Sequence, residues 1–212
     1  FETNSQLLEA FDTFGKQALE MITSKRTREA FDVSREPESI QQIFGGDELG
    51  QGLLLATRLI EFGVRFVTVT NGGWDTHLDN FNGHRKLMPP FDAAFTAALA
   101  ALEAKGLLER TLVIAMGEFG RTPKINPNIG RDHYPRVNWC LAAGGGVKPG
   151  RLIGGTDSGG ESPDDDTHIT PDDLGATLLH ALGIDHHQEY YTTTGRPVSL
   201  VPHGRVMTDL FG

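Results

Sequence analysis

Three short clusters put carboxylates and imidazoles where they could share an ion. Asp75 and His77 stand two apart in Gly72-Gly73-Trp74-Asp75-Thr76-His77. Glu118 opens Gly117-Glu118-Phe119-Gly120-Arg121-Thr122-Pro123, and Asp132 and His133 are neighbours in Gly130-Arg131-Asp132-His133-Tyr134-Pro135. A carboxylate beside an imidazole suits zinc, manganese or iron. The plainer reading of the first pair is a turn capped by Asp75 with His77 exposed. Glu118 directly follows an apolar run, where a carboxylate costs desolvation unless a metal or an arginine meets it. Arg121, three residues on, is a candidate for that arginine. His133 can ligate a metal while Asp132 orients it from behind. Together the clusters mark Asp75, His77, Glu118 and His133 as candidate metal ligands. Arg121 is the candidate catalytic residue, holding an anion or an acidic partner. The chemistry this suits is metal-dependent hydrolysis, in which the ion activates a water or a hydroxyl and neutralises an anionic leaving group. His84, His168, His180, His186, His187 and His203 lie outside these clusters and carry a weaker case.

Such residues need a scaffold that gathers them. Leu55, Leu59 and Phe62 recur at helical spacing, and Gly63 stands at a C-cap position. Residues 64–70 are β-branched and aromatic and predict a strand. Pro89-Pro90 reads as a helix start, with Phe91, Phe95, Leu99 and Leu102 on one face and Gly106 as the stop. Residues 111–116 predict a second strand. Strand, helix, strand is a βαβ unit with a parallel pair. The first two clusters then follow the carboxyl ends of strands, where open α/β sheets bind ligands. Residues 117–136 form a long polar loop, a length that usually serves function. Val137 to Ala143 is a third strand candidate, closed by three glycines, and Cys140 within it reads as a buried small hydrophobe. Thr170, Pro171, Asp172 and Asp173 signal a last helix. A short strand is expected at 197–201. At the other end, Leu7, Leu8, Phe11, Phe14 and Leu19 pattern a helix. The division expected is a peripheral helical segment over 1–48 and an α/β domain over 49–212.

The chain has 212 residues, a net charge of −9 and 26 glycines, which suits a loop-rich globular fold. The acidic balance argues against a nucleic-acid partner, since no basic stripe is there to neutralise phosphates. No run reaches the roughly 18 apolar residues of a membrane span. One cysteine rules out an internal disulfide. Asp164-Asp165-Asp166 suits calcium or, more plainly, a solvated acidic loop. The chain opens at Phe1 with no methionine and no signal peptide, so a fragment or a processed product is expected.

The three clusters resemble the signature blocks of the bacterial domain of unknown function 1501 family. So do Ala142-Ala143-Gly144-Gly145-Gly146, Gly154-Gly155-Thr156-Asp157, Asp173-Leu174-Gly175-Ala176-Thr177 and Leu182-Gly183-Ile184-Asp185. The likeness runs from about Ala30 to the end. That family is similar to the alkaline phosphatase and sulfatase superfamily. The resemblance implies a three-layer α/β/α sandwich with a largely parallel sheet, of which this chain would be a C-terminal part. It implies a divalent metal (zinc, manganese or calcium), a small anionic ester as substrate, and export to the periplasm. Asp75 and His77 match the superfamily's first ligand pair, Glu118 the Asp of the second, and His133 a later histidine. Phe119 stands where a histidine is usual, and the first metal Asp and the nucleophile would lie upstream of Phe1. Two functions follow as expectations: a metal-dependent hydrolase of phosphate or sulfate esters, or a non-catalytic exported binding or structural protein on the same fold.

Overall fold

The structure is a computed structural model that describes residues 2–164 and 168–212, with residues 2–11 described by backbone alone. The apolar side chains of Leu7, Leu8 and Phe11, and Asp165 and Asp166 of the acidic run, therefore lie outside the described residues. The chain forms two compact units, one of residues 1–73 and 86–101, the other of residues 74–85 and 102–212.

The first unit is helical. Its helices are α1 (Glu2–Thr23), α2 (Lys25–Phe31), α3 (Glu38–Phe44) and α4 (Glu48–Glu61). Asp47 caps α4 by accepting from the Gly50 N–H at 2.8 Å, and Gly63 just beyond its end takes a φ of 92° that few other residues tolerate. Phe44, Leu54, Ala97 and Ala98 form the apolar centre, with Val33, Ile40 and Leu53 against it. Buried Arg58 reaches the Ala30 carbonyl at 3.2 Å and pairs with Glu36, so its charge is fully engaged.

Helix α5 (Asn80–Ala104) begins nine residues before the Pro-Pro pair that reads as its start, and it carries Pro89 and Pro90 inside. Proline has no N–H to return to the carbonyl four residues back. The carbonyls of Arg85 and Lys86 are the two left without that bond, and the two units divide between those residues.

The expected α/β/α sandwich with a largely parallel sheet is overturned. Among the described residues, six α-helices are joined by three two-stranded sheets, each antiparallel. Strand β1 (Val113–Met116) pairs with β4 (Cys140–Ala143), β2 (Gly120–Arg121) with β3 (His133–Tyr134), and β5 (Glu189–Tyr191) with β6 (Pro197–Ser199). Residues 64–70 form no ladder, and Phe66 among them is 66% exposed. Their β-branched composition marks a fit to a pleated, half-covered surface, and such a preference becomes a strand only against a partner edge. The parallel pair expected of 64–70 and 111–116 is therefore absent. The chain leaving β1 instead turns back and returns alongside it as β4, which makes that pairing antiparallel. Cys140 is exposed there rather than buried, although partial burial of its thiol still pushes its pKa up. Helix α6 (Pro171–Ala181) forms as its signals predict: Thr170 and Asp173 make a reciprocal capping box.

Candidate metal centre

The long loop expected at 117–136 is a hairpin. Strands β2 and β3 pair Arg121 with His133 and Gly120 with Tyr134. Residues directly opposite on an antiparallel pair project to one face, so the pairing sets Arg121 and His133 side by side.

The turn of this hairpin is laced to the segment that carries Asp75 and His77. The Asp79 N–H donates to the Asn128 carbonyl at 3.1 Å, Asn80 N–H to Ile129 at 3.0 Å, and Arg131 N–H to Thr76 at 3.1 Å. The approach is close enough to demand glycine: a Cβ on Gly130 would stand 1.8 Å from the His77 carbonyl oxygen. Buried Asn80 steadies the segment by donating to Thr76 Oγ1 at 2.6 Å.

These links bring together side chains more than fifty residues apart. His77 Nε2 lies 3.1 Å from Asp75 Oδ1 and 3.1 Å from His133 Nε2, and His133 Nε2 lies 3.0 Å from Asp75 Oδ1. The three potential donor atoms all fall within 4.8 Å of one another. Zinc–nitrogen and zinc–oxygen bonds of about 2 Å would let one ion sit over that triangle, and two imidazoles with a carboxylate suit zinc, manganese or iron. Arg121 Nη2 is 2.7 Å from the same Asp75 oxygen. Its other terminal nitrogen, Nη1, is buried without a hydrogen-bond partner. Phe119 lies behind both: its ring centre is 4.4 Å from that of His133 and 5.8 Å from the Arg121 guanidinium.

The electrostatics favour an ionised cluster. The hydrogen bond from His133, then that from Arg121, holds the Asp75 carboxyl below its usual range. The bond from His77, then that from Asn126, does the same for Asp132.

Of the residues marked in the sequence, Asp75, His77, His133 and Arg121 are therefore gathered at one place. Glu118 is not among the gathered donors; it is exposed, and the cation that its spacing suggested, Arg121, pairs with Asp75 instead. Asp132 turns away from its neighbour His133 and meets His77 Nδ1 at 2.8 Å. Asn126 escaped the sequence reading altogether. Its Nδ2 donates to Asp132 Oδ1 at 3.0 Å and to the His77 carbonyl at 3.0 Å. The one signal for it was its setting in Asn126-Pro127-Asn128, a turn-forming composition. Beside the cluster opens a cleft of about 460 Å³ lined by Thr122, Lys124, Ile125, Asn126, Pro127 and Asp132.

The chain matches the family described as protein of unknown function (DUF1501) over residues 2–211, and it belongs to that family. No curated protein and no solved structure matches it.

Proposed function

We propose that this member of the DUF1501 family is a divalent-metal-dependent hydrolase of phosphate or sulfate esters. Asp75, His77 and His133 would hold the ion, and Arg121 would hold the ester's anionic group. The observation that carries the reading is the convergence of one carboxylate and two imidazoles within 4.8 Å, beside a guanidinium with a free nitrogen. A bound divalent ion would supply Lewis acidity toward the ester and a positive centre for the leaving group. Arg121 supplies the fixed charge. One of its nitrogens is committed to Asp75, and the buried partnerless one stays costly until an acceptor meets it. An anionic ester oxygen is such an acceptor, and a guanidinium binds it directionally. Phe119 holds the Arg121 and His133 planes from behind. The cleft beside Asp132 has room for the organic part of the ester.

Metal analysis of the purified protein, run beside turnover of generic aryl phosphates and sulfates, tests the proposal. Bound divalent metal with turnover that is lost on chelation is the expected result. Protein that takes up no added metal and turns over neither ester overturns it. One observation favours a second reading, a non-catalytic binding or structural protein: the Arg121 guanidinium stands 2.7 Å from the Asp75 carboxylate and can balance its charge by itself. Under that reading the protein takes up no metal, and removing Arg121 lowers stability.

A further inference from the structure

We infer that Asp132 and Asn126 are positioning residues that commit His77 to present Nε2, and not Nδ1, to the shared site. The inference rests on the metal-site reading above and concerns what sets the chemistry of one of its ligands.

A neutral imidazole carries one proton, on either nitrogen, and only the bare nitrogen can ligate a metal. Asp132 Oδ1 stands 2.8 Å from His77 Nδ1. A carboxylate there can only accept, and it lies nearer than Asp75 Oδ1, which stands 3.1 Å from Nε2 and is already met by Arg121 and His133. The proton is therefore drawn to Nδ1, and Nε2 is left with its lone pair. That lone pair faces Asp75 Oδ1 and His133 Nε2, each 3.1 Å away. An orienting carboxylate behind a metal-bound histidine fixes both ring plane and tautomer.

The carboxylate is itself held in place. Its own N–H donates to Thr122 Oγ1 at 3.1 Å, and its carbonyl accepts from the Thr122 N–H at 2.9 Å. Asn126 completes the support, and its amide orientation is settled by the main chain. Its Oδ1 accepts from the Asn128 and Gly130 N–H groups, both at 2.9 Å. That leaves Nδ2 as the atom facing outward, toward Asp132 Oδ1 and the His77 carbonyl. The hairpin turn thus grips His77 twice, once by its ring through Asp132 and once by its backbone through Asn126. His133, next to Asp132 in sequence, gets its packing from Phe119 instead. On the side away from Asp75 the two imidazoles are therefore backed differently, His77 by the Asp132 carboxylate and His133 by the Phe119 ring.

The test uses Asp132→Ala, Asp132→Asn and Asn126→Asp in the full chain. Asn126→Asp keeps an oxygen for the turn's N–H groups but replaces the donor facing Asp132 with a like charge. Long-range proton–nitrogen spectra of the metal-free protein report the His77 tautomer, assigned with a His77→Gln control. Calorimetry with Zn²⁺ or Mn²⁺ reports affinity, and thermal melts report folding. The wild type is expected to show the Nδ1–H form. Asp132→Ala is expected to lose that preference and to weaken metal binding about 10- to 100-fold while remaining folded. Asp132→Asn, which retains an acceptor oxygen, should recover part of both, and Asn126→Asp should fall between it and Asp132→Ala. An Nε2–H form in the wild type overturns the inference. So does a folded Asp132→Ala with tautomer unchanged and affinity within about twofold of wild type, well short of the loss such a partner carries. If the wild type binds neither metal, the hydrolase reading fails separately, and the tautomer spectra alone decide the role of Asp132 and Asn126.

Discussion

Two aspartates in the same unit, Asp75 and Asp173, show how differently one side chain can be used. Asp173 is 3% exposed at the start of α6. Its carboxylate accepts main-chain N–H groups, from Thr170 at 2.9 Å and from Arg205 at 2.7 Å, and its own N–H donates to Thr170 Oγ1 at 3.1 Å. Asp75 meets side chains alone, two imidazoles and one guanidinium, and its side chain is 64% exposed. Main-chain donors are fixed by the fold and cannot be exchanged without unfolding the segment that carries them. Side-chain donors at an exposed carboxylate can turn aside or be displaced by a cation. Asp173 is thus part of how the chain folds, whereas the partners of Asp75 are replaceable, as a site requires.

The sharpest way to break this contrast is to remove each carboxylate in turn. Asp75→Ala is expected to abolish divalent-metal uptake and any ester turnover while leaving the melting temperature near that of the wild type. Metal analysis after dialysis and a circular dichroism melt check both halves. A large drop in melting temperature would put Asp75 in the same structural class as Asp173.

The converse substitution acts on stability. Asp173→Ala removes the reciprocal cap of α6 and leaves the Thr170 and Arg205 N–H groups without their partner. Loss of a cap and exposure of orphaned donors together should cost about 2–4 kcal/mol. Urea denaturation measures it, and metal uptake per folded molecule should not change. A cost below about 0.5 kcal/mol, the range of ordinary surface substitutions, would show that the cap contributes little.

A smaller effect is expected in acid. Burial alone would raise the Asp173 pKa, but the hydrogen bonds from Thr170 and Arg205 outweigh it and bring it from 3.8 down to about 2. A folded pKa below the unfolded one means a contribution fully present above about pH 4 and lost as the pH falls toward about 2. The difference is worth about 2 kcal/mol. Stability measured across that window should fall less steeply in Asp173→Asn than in the wild type. Equal slopes would mean that other carboxyls govern the acid limb.

The same contrast explains how much of the molecule was legible in the sequence. Local signals held: Thr170-Pro171-Asp172-Asp173 announces a capped helix, and it forms where expected. Asp75, His77 and His133 could be marked because acidic and imidazole residues crowd glycine-rich loops there, whereas Arg121 was marked by its spacing from Glu118 and pairs with Asp75 instead. What failed depends on partners far along the chain. Residues 64–70 have the composition of a strand but no edge to pair with, while β1 found β4, in the opposite direction from the parallel pairing expected. Pro89-Pro90 carries a helix-start preference that the longer helix overrode. Asp132 was matched to His133 because they adjoin, yet neighbours in an extended segment point to opposite faces, and Asp132 found His77 instead. Asn126 had no chemical signature of its own, only a place in a turn.

The smallest expected effect is the most discriminating, and it comes from Arg121→Lys. Lysine keeps the positive charge that neutralises Asp75, so stability should stay close to that of the wild type under either reading. What it loses is the planar fork. A guanidinium can give one nitrogen to Asp75 and present a second to an anion, whereas an ammonium is a single point on a flexible stem. If the unpartnered Nη1 serves an ester's anionic oxygen, the substitution should raise KM about tenfold, the loss of one charge-assisted hydrogen bond, with metal content unchanged. If Arg121 only neutralises Asp75, the lysine variant should match the wild type in stability and in every binding measurement, and Arg121→Ala alone should be destabilised. Steady-state kinetics on an aryl phosphate and an aryl sulfate, with metal content measured on the same samples, separate the two. A rise in KM for only one of the esters would further identify which anion the second nitrogen is placed to receive.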